Sequence, residues 1–384
     1  MLGRLNIYIY LLIIPQNYTS FFSIMPFTVN SYAALSKDSE LVPYTLERRD
    51  LAKDDVLIDI TYTGICHSDV HIAHDDWGFA TPHPVIPGHE IVGTVSAVGE
   101  TVTKVKVGDC VAVGCMVDSC LECIPCKADE EIFCIKGATQ TYGSPEPQFP
   151  GHTTAGGYSE KIVVRDHFVV QVPKELQTAE LLPGVAPVLC AGITMYSPLR
   201  EYKAAKGQKI GIVGLGGLGH MGVKLAAAIG AEVVVISRSH KKDAEAKALG
   251  ATSTISSSSK EELAANANTF DLIIDTVPFD HDVNVYVPLL KNHNTLVLVG
   301  HLGSLEATPV STHGLIFGNR RIAGSCIGGI KETQELLEFC AKHKIIADNE
   351  VITMDKVNDA WKALGDSASR FVIDIAKYRE SNKA

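Results

Sequence analysis

The stretch KIGIVGLGGLGHMGVKLAAAIGAEVVVIS constrains the fold of this chain more than any other part of its sequence. It begins with the apolar run Lys209–Val213, which predicts a buried strand, and continues through the glycine-rich segment Gly214–Gly219, which predicts a turn. The alanine-rich run Gly219–Ile229 then predicts a helix, and Val233–Ile236 predicts a second strand. Because the apolar runs FDLIIDTV and NTLVLVGH follow with helical segments between them, we predict an open parallel α/β sheet.

The glycine-rich turn has the spacing G-x-G-x-x-G between a predicted strand and a predicted helix, the context in which this spacing indicates dinucleotide binding. Its residues are Gly214, Leu215, Gly216, Gly217, Leu218 and Gly219. The first glycine permits the tight turn, the second lets the backbone approach a pyrophosphate, and the third allows close packing of helix and strand. The free N–H groups and the positive end of the helix would bind the phosphates. We therefore predict a dinucleotide site; the alternative is a glycine turn with no ligand.

The residues after the second strand decide between NAD and NADP. An NAD site normally has an Asp or Glu there, which binds the ribose 2′-hydroxyl, but this chain has SRSHKK. Hydroxyls and cations replace the carboxylate in this segment, namely Ser237, Arg238, Ser239 and Lys242. Arg238 and Lys242 would attract a 2′-phosphate, which a carboxylate would repel. We predict NADP(H) as the cofactor; the alternative is a solvated basic patch beside an NAD site.

The part of the chain before this α/β region has a different pattern. The runs VLIDITYTGI, IVGTVSAVGE and KVKVGDCVAVG are continuously apolar or alternate with period two, and turn residues bound them. They predict a β-rich domain that extends from about Val56 to the run His167–Pro173. Near the C-terminus, KETQELLEFCAKHK predicts a helix, and Ser369–Ala376 predicts a strand that returns to this first domain.

The composition restricts the class of protein. The chain has 384 residues, enough for two domains and a large core. Its net charge of −10 argues against a general nucleic-acid-binding protein, because phosphate recognition needs a basic surface. Its ten cysteines form one tight cluster and scattered single positions, a pattern that favours a reduced, metal-binding protein over a disulfide scaffold.

The N-terminal segment contains the apolar run Leu5–Ile14, which has only about half the length of a membrane span. It follows Arg4 as the core of a signal peptide would, but no small-residue cleavage site comes after it. A regular pattern begins near Met25. We therefore expect residues 1–25 to be an extension outside the fold, with a targeting segment as the alternative.

Four cysteines with the spacing C-x2-C-x2-C-x7-C provide a set of metal ligands: Cys120, Cys123, Cys126 and Cys134. Four thiolates fill every position of a tetrahedral zinc site, so such a site is structural and leaves no position for a substrate. A ferredoxin-type run shares the first two spacings, but here the fourth cysteine comes later and Ile135 replaces the proline. Structural zinc is the favoured interpretation; an iron–sulfur cluster and disulfide bonds are the alternatives.

Several motifs follow one another in the order GxCHSD, GHE, the four-cysteine segment, LCAGxT, GLGGLG and SxSxKK. Singly, a Cys or His in such a motif is most often a small core residue or a hydrogen-bonded histidine. Together, the motifs resemble those of the zinc-dependent medium-chain alcohol dehydrogenases, most closely the cinnamyl alcohol dehydrogenase branch with its broad-specificity NADPH-dependent members. The resemblance covers essentially everything after about residue 30.

The resemblance implies a catalytic zinc bound by Cys66, His89 and Cys190, with Glu90 beside it as an alternating or outer ligand. Three protein ligands would leave the fourth position open for a substrate oxygen, and the zinc would act as a Lewis acid. The Asp69 carboxylate would orient His89. With the structural site, the resemblance implies two zinc ions per chain.

Further site residues are implied by the same resemblance. A hydroxyl at the position of Ser68 contacts the substrate oxygen in this family and begins a proton relay, which His71 would end near solvent. Cofactor contacts are implied for His67, Ser68, Thr194, Thr276, Gly300, Ser325 and Arg370. Trp77 and Met116 are candidates for the substrate pocket, with core packing as the alternative for both.

The implied fold is a Rossmann doubly wound parallel sheet in residues 184–324 plus a GroES-like β-rich catalytic domain in residues 26–183 and 325–384. The implied activity is hydride transfer between NADPH and an aromatic or medium aliphatic aldehyde, with oxidation of primary alcohols in reverse. The rivals are an NAD-dependent polyol or secondary-alcohol dehydrogenase, a non-catalytic NADPH-binding protein and a zinc-module interaction protein. We expect a cytoplasmic homodimer that acts on small molecules and binds neither nucleic acid nor membrane.

Overall fold

The computed structural model describes residues 27–300, 303–306, 308–364 and 370–382, so the predicted extension, residues 1–25, lies outside the described residues. The strands are β1 (Phe27–Ala34), β2 (Leu41–Arg48), β3 (Asp55–Gly64), β4 (Ile91–Val98), β5 (Cys110–Val113), β6 (Met116–Asp118), β7 (Thr139–Gln140), β8 (Lys161–Arg165), β9 (Val170–Gln171), β10 (Lys209–Val213), β11 (Glu232–Ser237), β12 (Ser253–Ser256), β13 (Phe270–Asp275), β14 (Leu290–Leu298), β15 (Arg321–Gly324), β16 (Asn349–Ile352) and β17 (Arg370–Asp374). The α-helices are α1 (His67–Ala73), α2 (Ile124–Lys127), α3 (Leu182–Val185), α4 (Ala191–Glu201), α5 (Gly217–Ile229), α6 (Asp243–Ala248), α7 (Lys260–Ala265), α8 (Thr312–Gly318), α9 (Ile330–His343), α10 (Val357–Ala363) and α11 (Ile375–Ser381).

Six parallel strands form the sheet predicted from the glycine-rich region. Their order is β12-β11-β10-β13-β14-β15, and every neighbouring pair is parallel. The run Val233–Ile236 in β11 is buried throughout, as expected where helices cover both faces of a sheet. The strand order reverses between β10 and β13, where a doubly wound sheet opens a crevice at the carboxyl ends of its strands. The predicted parallel α/β sheet is confirmed.

The helix after β10 begins at Gly217, two residues before the predicted start. Gly214 has a φ of 86°, in the left-handed region that glycine adopts without strain. Gly216 is the extended N-cap residue of α5, so the turn is already complete at this position. The first N–H groups of α5 therefore lie within the glycine motif, where they can bind an anion.

A second, seven-stranded sheet contains the β-rich part of the chain. Its order is β16-β17-β3-β4-β5-β9, and β8 pairs with β3 outside this path. Because β17 pairs antiparallel with β3, the C-terminal strand returns to the first part of the chain, as predicted. This strand ends at Asp374, before the predicted Ala376, since the Asp374 side chain accepts a hydrogen bond from the Lys377 N–H and caps α11.

The two sheets share one apolar core around α4. Its members include Val56 and Ile58 from β3, Ile193 and Met195 from α4, and Ile210 and Ile212 from β10. Helix α4 packs so closely on α5 that a Cβ at Gly222 would be 2.4 Å from Cε of Met195. In the described residues no single helix is long and apolar enough to cross a membrane. Only by length and composition would the bent helix pair Leu182–Leu189 and Ala191–Glu201 suffice.

Candidate active site and metal centres

Four residues from three distant segments meet in a buried cluster, in which the ligand atoms of Cys66, His89, Glu90 and Cys190 lie within 4.8 Å of one another. Cys66 is the N-cap residue of α1, His89 and Glu90 precede β4, and Cys190 is the N-cap residue of α4. The Sγ atoms of Cys66 and Cys190 are 3.8 Å apart, too far for a disulfide bond. Two sulfurs bound at about 2.3 Å to one tetrahedral zinc ion would be separated by about 3.8 Å. The cluster therefore fits a zinc ion.

Hydrogen bonds and charges act in opposite directions on the two cysteines of this cluster, because hydrogen bonds with Cys115 and Cys66 raise the pKa of Cys190 well above its usual range. The hydrogen bond with Cys190 holds the pKa of Cys66 well below its usual range, against the effect of burial, and the charges of Arg370 and His89 act in the same direction. Burial alone would lower the pKa of His89, but negative charge on Cys115 and Asp69 raises it well above its ordinary value. Because thiolates and imidazole are the ligands that zinc prefers, this donor set matches that metal.

Glu90 is the carboxylate member of the cluster. Burial raises its pKa to about 7, although the positive charge of Arg370 opposes this effect. Its Oε1 atom forms an ion pair with Arg370. Its Oε2 atom is buried and has no hydrogen-bond partner among the described residues. The same oxygen lies where a Cβ of Gly64 would be, at 1.9 Å, so only glycine fits in β3 at that position. A carboxylate of this cluster with one unpaired oxygen suits an alternating metal ligand.

Asp69 lies behind the cluster and is fully buried. Its Oδ1 atom is 3.2 Å from Nδ1 of His89, and its Oδ2 atom accepts a hydrogen bond of 2.9 Å from the Cys66 N–H. Since Nδ1 faces the carboxylate, Nε2 is the ring nitrogen left for a metal. This arrangement corresponds to the carboxylate–histidine–metal pattern predicted from the sequence.

Helix α1 brings the candidate proton-relay residues to the same place. The Oγ atom of Ser68 is 3.6 Å from Sγ of Cys66. His71 lies one turn later and is partly exposed, with its Nδ1 atom 2.8 Å from Oδ2 of Asp76. The rings of His67 and His71 are stacked with centroids 6.2 Å apart. The helix thus places a hydroxyl beside the metal ligands and a titratable ring towards solvent, and the relay itself remains a prediction.

The candidate dinucleotide contacts lie along the carboxyl edge of the parallel sheet. Thr276 follows β13, and its hydroxyl donates a hydrogen bond of 2.7 Å to the carbonyl of Val213 at the end of β10. Gly300 follows β14 and packs against Thr276, where a Cβ would be 2.3 Å from the backbone. Ser325 follows β15 directly, and Thr194 is buried in the first turn of α4.

The three glycines Gly216, Gly217 and Gly219 differ in the space that a side chain would have. A Cβ at Gly219 would be 2.2 Å from the carbonyl oxygen of Gly214, whereas a Cβ at Gly216 would meet no atom within 4 Å. At Gly217 a Cβ would be 2.7 Å from Nη1 of Arg370. Arg370 therefore contacts both the N-terminus of α5 and Glu90, which joins the glycine turn to the metal cluster.

The segment after β11 contains the predicted 2′-phosphate residues. Arg238 is exposed, with its guanidinium 5.8 Å from the ring centroid of Phe279. Lys242 donates a hydrogen bond of 2.9 Å to the Leu215 carbonyl, so it bridges this segment to the glycine turn. The hydroxyl of Ser237 donates to the carbonyl of Ser239 at 2.6 Å. His240 pairs with two carboxylates of this region, since its ring nitrogens lie 3.0 Å from Asp243 and 3.1 Å from Glu262.

The second metal cluster is formed by the four-cysteine segment. Ligand atoms of Cys120, Cys123, Cys126 and Cys134 lie within 4.8 Å of one another, and all four cysteines are free. The Sγ–Sγ distances, 3.4 Å for Cys123–Cys126, 3.9 Å for Cys120–Cys126 and 4.0 Å for Cys123–Cys134, exceed a disulfide length. Hydrogen bonds from the N–H groups of Cys126 and Ile135 lower the pKa of Cys123 to about 6. The cluster fits a closed structural zinc site.

The remaining candidates have different environments. Trp77 follows α1 and its ring lies 5.1 Å from that of His71, near the relay residues. Met116 is only 2% exposed in β6 and packs in the core.

Sequence reasoning missed Cys115, whose hydrogen bond with Cys190 lowers its pKa. It also missed Tyr158, whose hydroxyl reaches Asp69. Neither residue belongs to a motif that its spacing reveals.

Comparison with known proteins agrees with this geometry. The alcohol dehydrogenase GroES-like domain family matches residues 52–174, and the zinc-binding dehydrogenase family matches residues 217–342. Aldehyde reductase YahK of Escherichia coli (strain K12) is 47% identical over 348 residues, which cover 90% of this chain and 98% of that protein.

Two solved structures have the same fold and 41% identity. A cinnamyl alcohol dehydrogenase of Sorghum bicolor superposes with a TM-score of 0.85 and covers 91% of this chain and 98% of its own. The Helicobacter pylori enzyme called CAD, complexed with NADP(H), has a TM-score of 0.83 and covers 92% and 99%. The chain therefore belongs to the zinc-dependent medium-chain alcohol dehydrogenases, in the cinnamyl alcohol dehydrogenase-like branch.

Proposed function

We propose that this protein is an NADPH-dependent aldehyde reductase that oxidises primary alcohols in the reverse direction. The observation that carries the proposal is the buried cluster of Cys66, His89 and Cys190, joined through Arg370 to the anion-binding turn at Gly217. This arrangement supports a metal centre and a dinucleotide site that share one crevice. The names of the relatives, an aldehyde reductase and cinnamyl alcohol dehydrogenases, support the same activity.

When bound, a zinc ion at this cluster would supply a Lewis acid for the substrate oxygen, and NADPH would supply the hydride. Cys66, His89 and Cys190 would hold the metal and leave one position open. The hydroxyl of Ser68, beside Cys66, would donate a proton to the developing alkoxide, and His71 would exchange that proton with solvent. Burial of all three ligands would limit the access of water to the reacting atoms.

The cofactor contacts are proposed from their position at the carboxyl edge of the parallel sheet. Gly214–Gly219, Arg370 and His67 would lie at the phosphates of the cofactor. The residues at strand ends and in α4 would make further cofactor contacts: Thr194, Thr276, Gly300 and Ser325. Ser237, Arg238, Ser239 and Lys242 would bind the 2′-phosphate. The pairing of Asp243 and Glu262 with His240 supports NADP(H), because it reduces the negative charge that would repel a phosphate.

We propose aromatic and medium aliphatic aldehydes as substrates. The half-buried Trp77 and the exposed Phe79, with ring centroids 5.7 Å apart, lie beside His71 and suit an apolar substrate. Trp77 is therefore the better supported pocket candidate. Met116 stays a prediction, because its burial in β6 is equally explained by core packing.

The domain bounds, oligomeric state and location are also proposed. Residues 26–183 and 325–384 would form the catalytic domain and residues 184–324 the NADP-binding domain, since β15 ends at Gly324 and β17 returns to β3. A homodimer is supported by the outer strand β15 and by three exposed apolar side chains near it: Val310, Ile316 and Phe317. All ten cysteines are free, which supports a reducing compartment such as the cytoplasm.

A kinetic panel tests the proposed function. Purified protein is assayed with cinnamaldehyde, benzaldehyde, a medium-chain aliphatic aldehyde, a ketone and a polyol, each with NADPH and NADH or the oxidised cofactors. We expect kcat/KM for the aldehydes to be at least about tenfold higher with NADPH, because each charge-assisted phosphate contact is worth roughly 1.5–3 kcal/mol. Preferred turnover of the polyol with NAD would favour the rival dehydrogenase. NADPH binding without turnover of any compound would contradict catalysis.

A further inference from the structure

Asp69 has more partners than the one expected from its role towards His89. Its Oδ1 atom is 3.2 Å from Nδ1 of His89 and accepts a hydrogen bond of 3.1 Å from the Gly88 N–H. Its Oδ2 atom accepts from the Cys66 N–H at 2.9 Å and from the Tyr158 hydroxyl at 3.1 Å. A carboxylate has about four lone-pair sites, so all are occupied. Three of these partners belong to metal ligands or their neighbour, and Tyr158 is the exception.

Tyr158 comes from the segment before β8 and is fully buried. Its backbone N–H donates to the carbonyl of Pro87 at 3.0 Å. Its ring covers Gly88, where a Cβ would be 2.7 Å from Cδ1 of Tyr158. The side chain therefore packs on the loop that carries His89, and its hydroxyl reaches the carboxylate behind that ligand.

Trp361 fixes the direction of this hydrogen bond. It lies in α10, and its Nε1–H donates to the Tyr158 hydroxyl at 3.3 Å. An indole N–H can only donate, and an ionised carboxylate can only accept. The Tyr158 proton must therefore point to Asp69. Trp361 therefore donates to Tyr158, Tyr158 donates to Asp69, and the ring of His89 contacts the other oxygen of the same carboxylate.

We propose that Tyr158 is a positioning residue for the catalytic metal. Its hydroxyl, oriented by Trp361, holds the Asp69 carboxylate in the one position from which it fixes both the ring of His89 and the backbone of Cys66. Two of the three metal ligands thus depend on the same carboxylate, and the Tyr158 hydroxyl donates to it from outside the metal cluster. The proposal rests on the proposed catalytic metal site, but not on the identity of the substrate.

The exchange Tyr158→Phe tests this role, because it keeps the ring on Gly88 and removes only the hydroxyl. The measured quantity is the rate at which each zinc ion of the full-length holoenzyme passes to a chromogenic chelator. Zinc release should have one kinetic phase for each site, and the phase of the catalytic site is the one that is absent in Cys66→Ser. Loss of a residue that supports a metal ligand typically costs about 10–100-fold in metal affinity, so we expect this phase to accelerate by about tenfold or more. The phase of the four-cysteine site should not change.

Tyr286→Phe is the matched control. Tyr286 is also buried, with 5% of its surface exposed, and it packs in a separate apolar cluster with Val213 and Ile236 of the parallel sheet. Removal of its hydroxyl keeps a ring of the same size and should leave both zinc-release phases as in the wild type. Trp361→Phe removes the donor behind Tyr158, and we expect the catalytic phase to accelerate in the same direction by a smaller factor, roughly twofold to tenfold.

Two results would overturn the proposal. One is an unchanged catalytic phase in Tyr158→Phe. The other is equal acceleration of both phases together with a lower unfolding temperature, which would reveal a packing role only. If Tyr158→Phe does not fold, Trp361→Phe decides, since an unchanged catalytic phase there contradicts the chain of donors. Zinc release requires no turnover, so an inactive wild-type protein would count against the proposed function and leave this test intact.

Discussion

Arg370 and Glu90 form a buried ion pair although 280 positions separate them in the chain. The guanidinium also lies against Gly217 at the start of α5. Positive charge on Arg370 opposes the rise that burial causes in the pKa of Glu90. One side chain therefore connects the carboxylate of the metal cluster with the N-terminus that would bind a pyrophosphate, and its removal should affect both sites.

For Arg370→Met we expect two separable losses. NADPH binding should weaken by about tenfold or more, because a charge-assisted contact to phosphate disappears. The free energy of unfolding should fall by about 3 kcal/mol, because Glu90 is left buried without its partner. Fluorescence titration with NADPH and urea denaturation measure the two effects.

The double variant Arg370→Met with Glu90→Gln separates these causes. It should recover most of the stability but none of the NADPH affinity. Arg379→Met, which removes a nearby arginine that bonds the Ile60 carbonyl instead, is the control and should bind NADPH normally. Equal NADPH affinity in Arg370→Met and wild type would refute the link between the two sites.

Two glycines of the motif should respond differently to alanine. Gly216→Ala adds a Cβ in open space, so the protein should keep its stability and lose NADPH affinity. Gly219→Ala places a Cβ 2.2 Å from the Gly214 carbonyl oxygen, so it should destabilise the fold by about 1–3 kcal/mol. Thermal unfolding without and with NADPH measures both effects. A stable Gly219→Ala protein, or a Gly216→Ala protein with normal affinity, would contradict the geometry of the turn.

The cofactor preference should depend on charge at the end of β11. Ser237→Asp places a carboxylate where a 2′-phosphate would bind, and the ratio of kcat/KM for NADPH to that for NADH should fall by about tenfold or more. Thr252→Asp adds the same charge before β12, at the opposite edge of the sheet, and should not change the ratio. An unchanged ratio in Ser237→Asp would mean that NADP(H) is recognised elsewhere.

The carboxylate of Glu131 connects the four-cysteine segment to the start of α9. Glu131 accepts a hydrogen bond of 3.0 Å from the Ile330 N–H at the start of α9 and lies 2.6 Å from Nε2 of His167. Burial would raise the pKa of Glu131, but these two hydrogen bonds lower it overall. A carboxyl with a lowered pKa in the folded state stabilises the protein above its unfolded pKa, about 4.3, and this contribution is lost as the pH falls through the folded value.

Glu131→Gln should therefore be less stable than wild type by about 1–3 kcal/mol at pH 7. The difference should shrink as the pH falls below about 4.3 and through the lowered pKa of the folded state, below which both proteins carry a neutral side chain. Urea denaturation of the two proteins at each pH measures this difference in the free energy of unfolding. Effects of pH that are common to both proteins cancel. Glu130→Gln, at the exposed neighbour, should show no difference at any pH. A difference that stays constant with pH would exclude the charge as its cause.

Local patterns were enough to predict the parallel sheet, since β10, the glycine turn and α5 are contiguous in the chain and their periodicity is determined by burial. The start of α5 at Gly217 was missed, because glycines in sequence do not show where the turn ends. The spacing of the four-cysteine segment predicted one metal site, whereas the ligands of the catalytic metal were implied only by family resemblance. Cys66 and Cys190 are 124 positions apart, and no spacing joins them.

Contacts across the whole chain were beyond sequence reasoning. Trp361 and Tyr158 are 203 positions apart, and Tyr158 and Asp69 are 89 apart. They meet because the C-terminal segment returns and β17 pairs with β3. The strand was predictable from its apolar run, but its side-chain partners depend on register and packing that a single sequence does not contain.

The central claim is that the Cys66–His89–Cys190 cluster, and not the denser four-cysteine cluster, holds the metal that catalysis requires. The most direct measurement is aldehyde turnover with NADPH in Cys66→Ser, together with its zinc content and NADPH affinity. We predict a folded protein that binds NADPH, contains one zinc ion per chain and has no measurable turnover. Turnover at the wild-type rate in this protein, or in wild-type protein from which all zinc has been removed, would contradict the account.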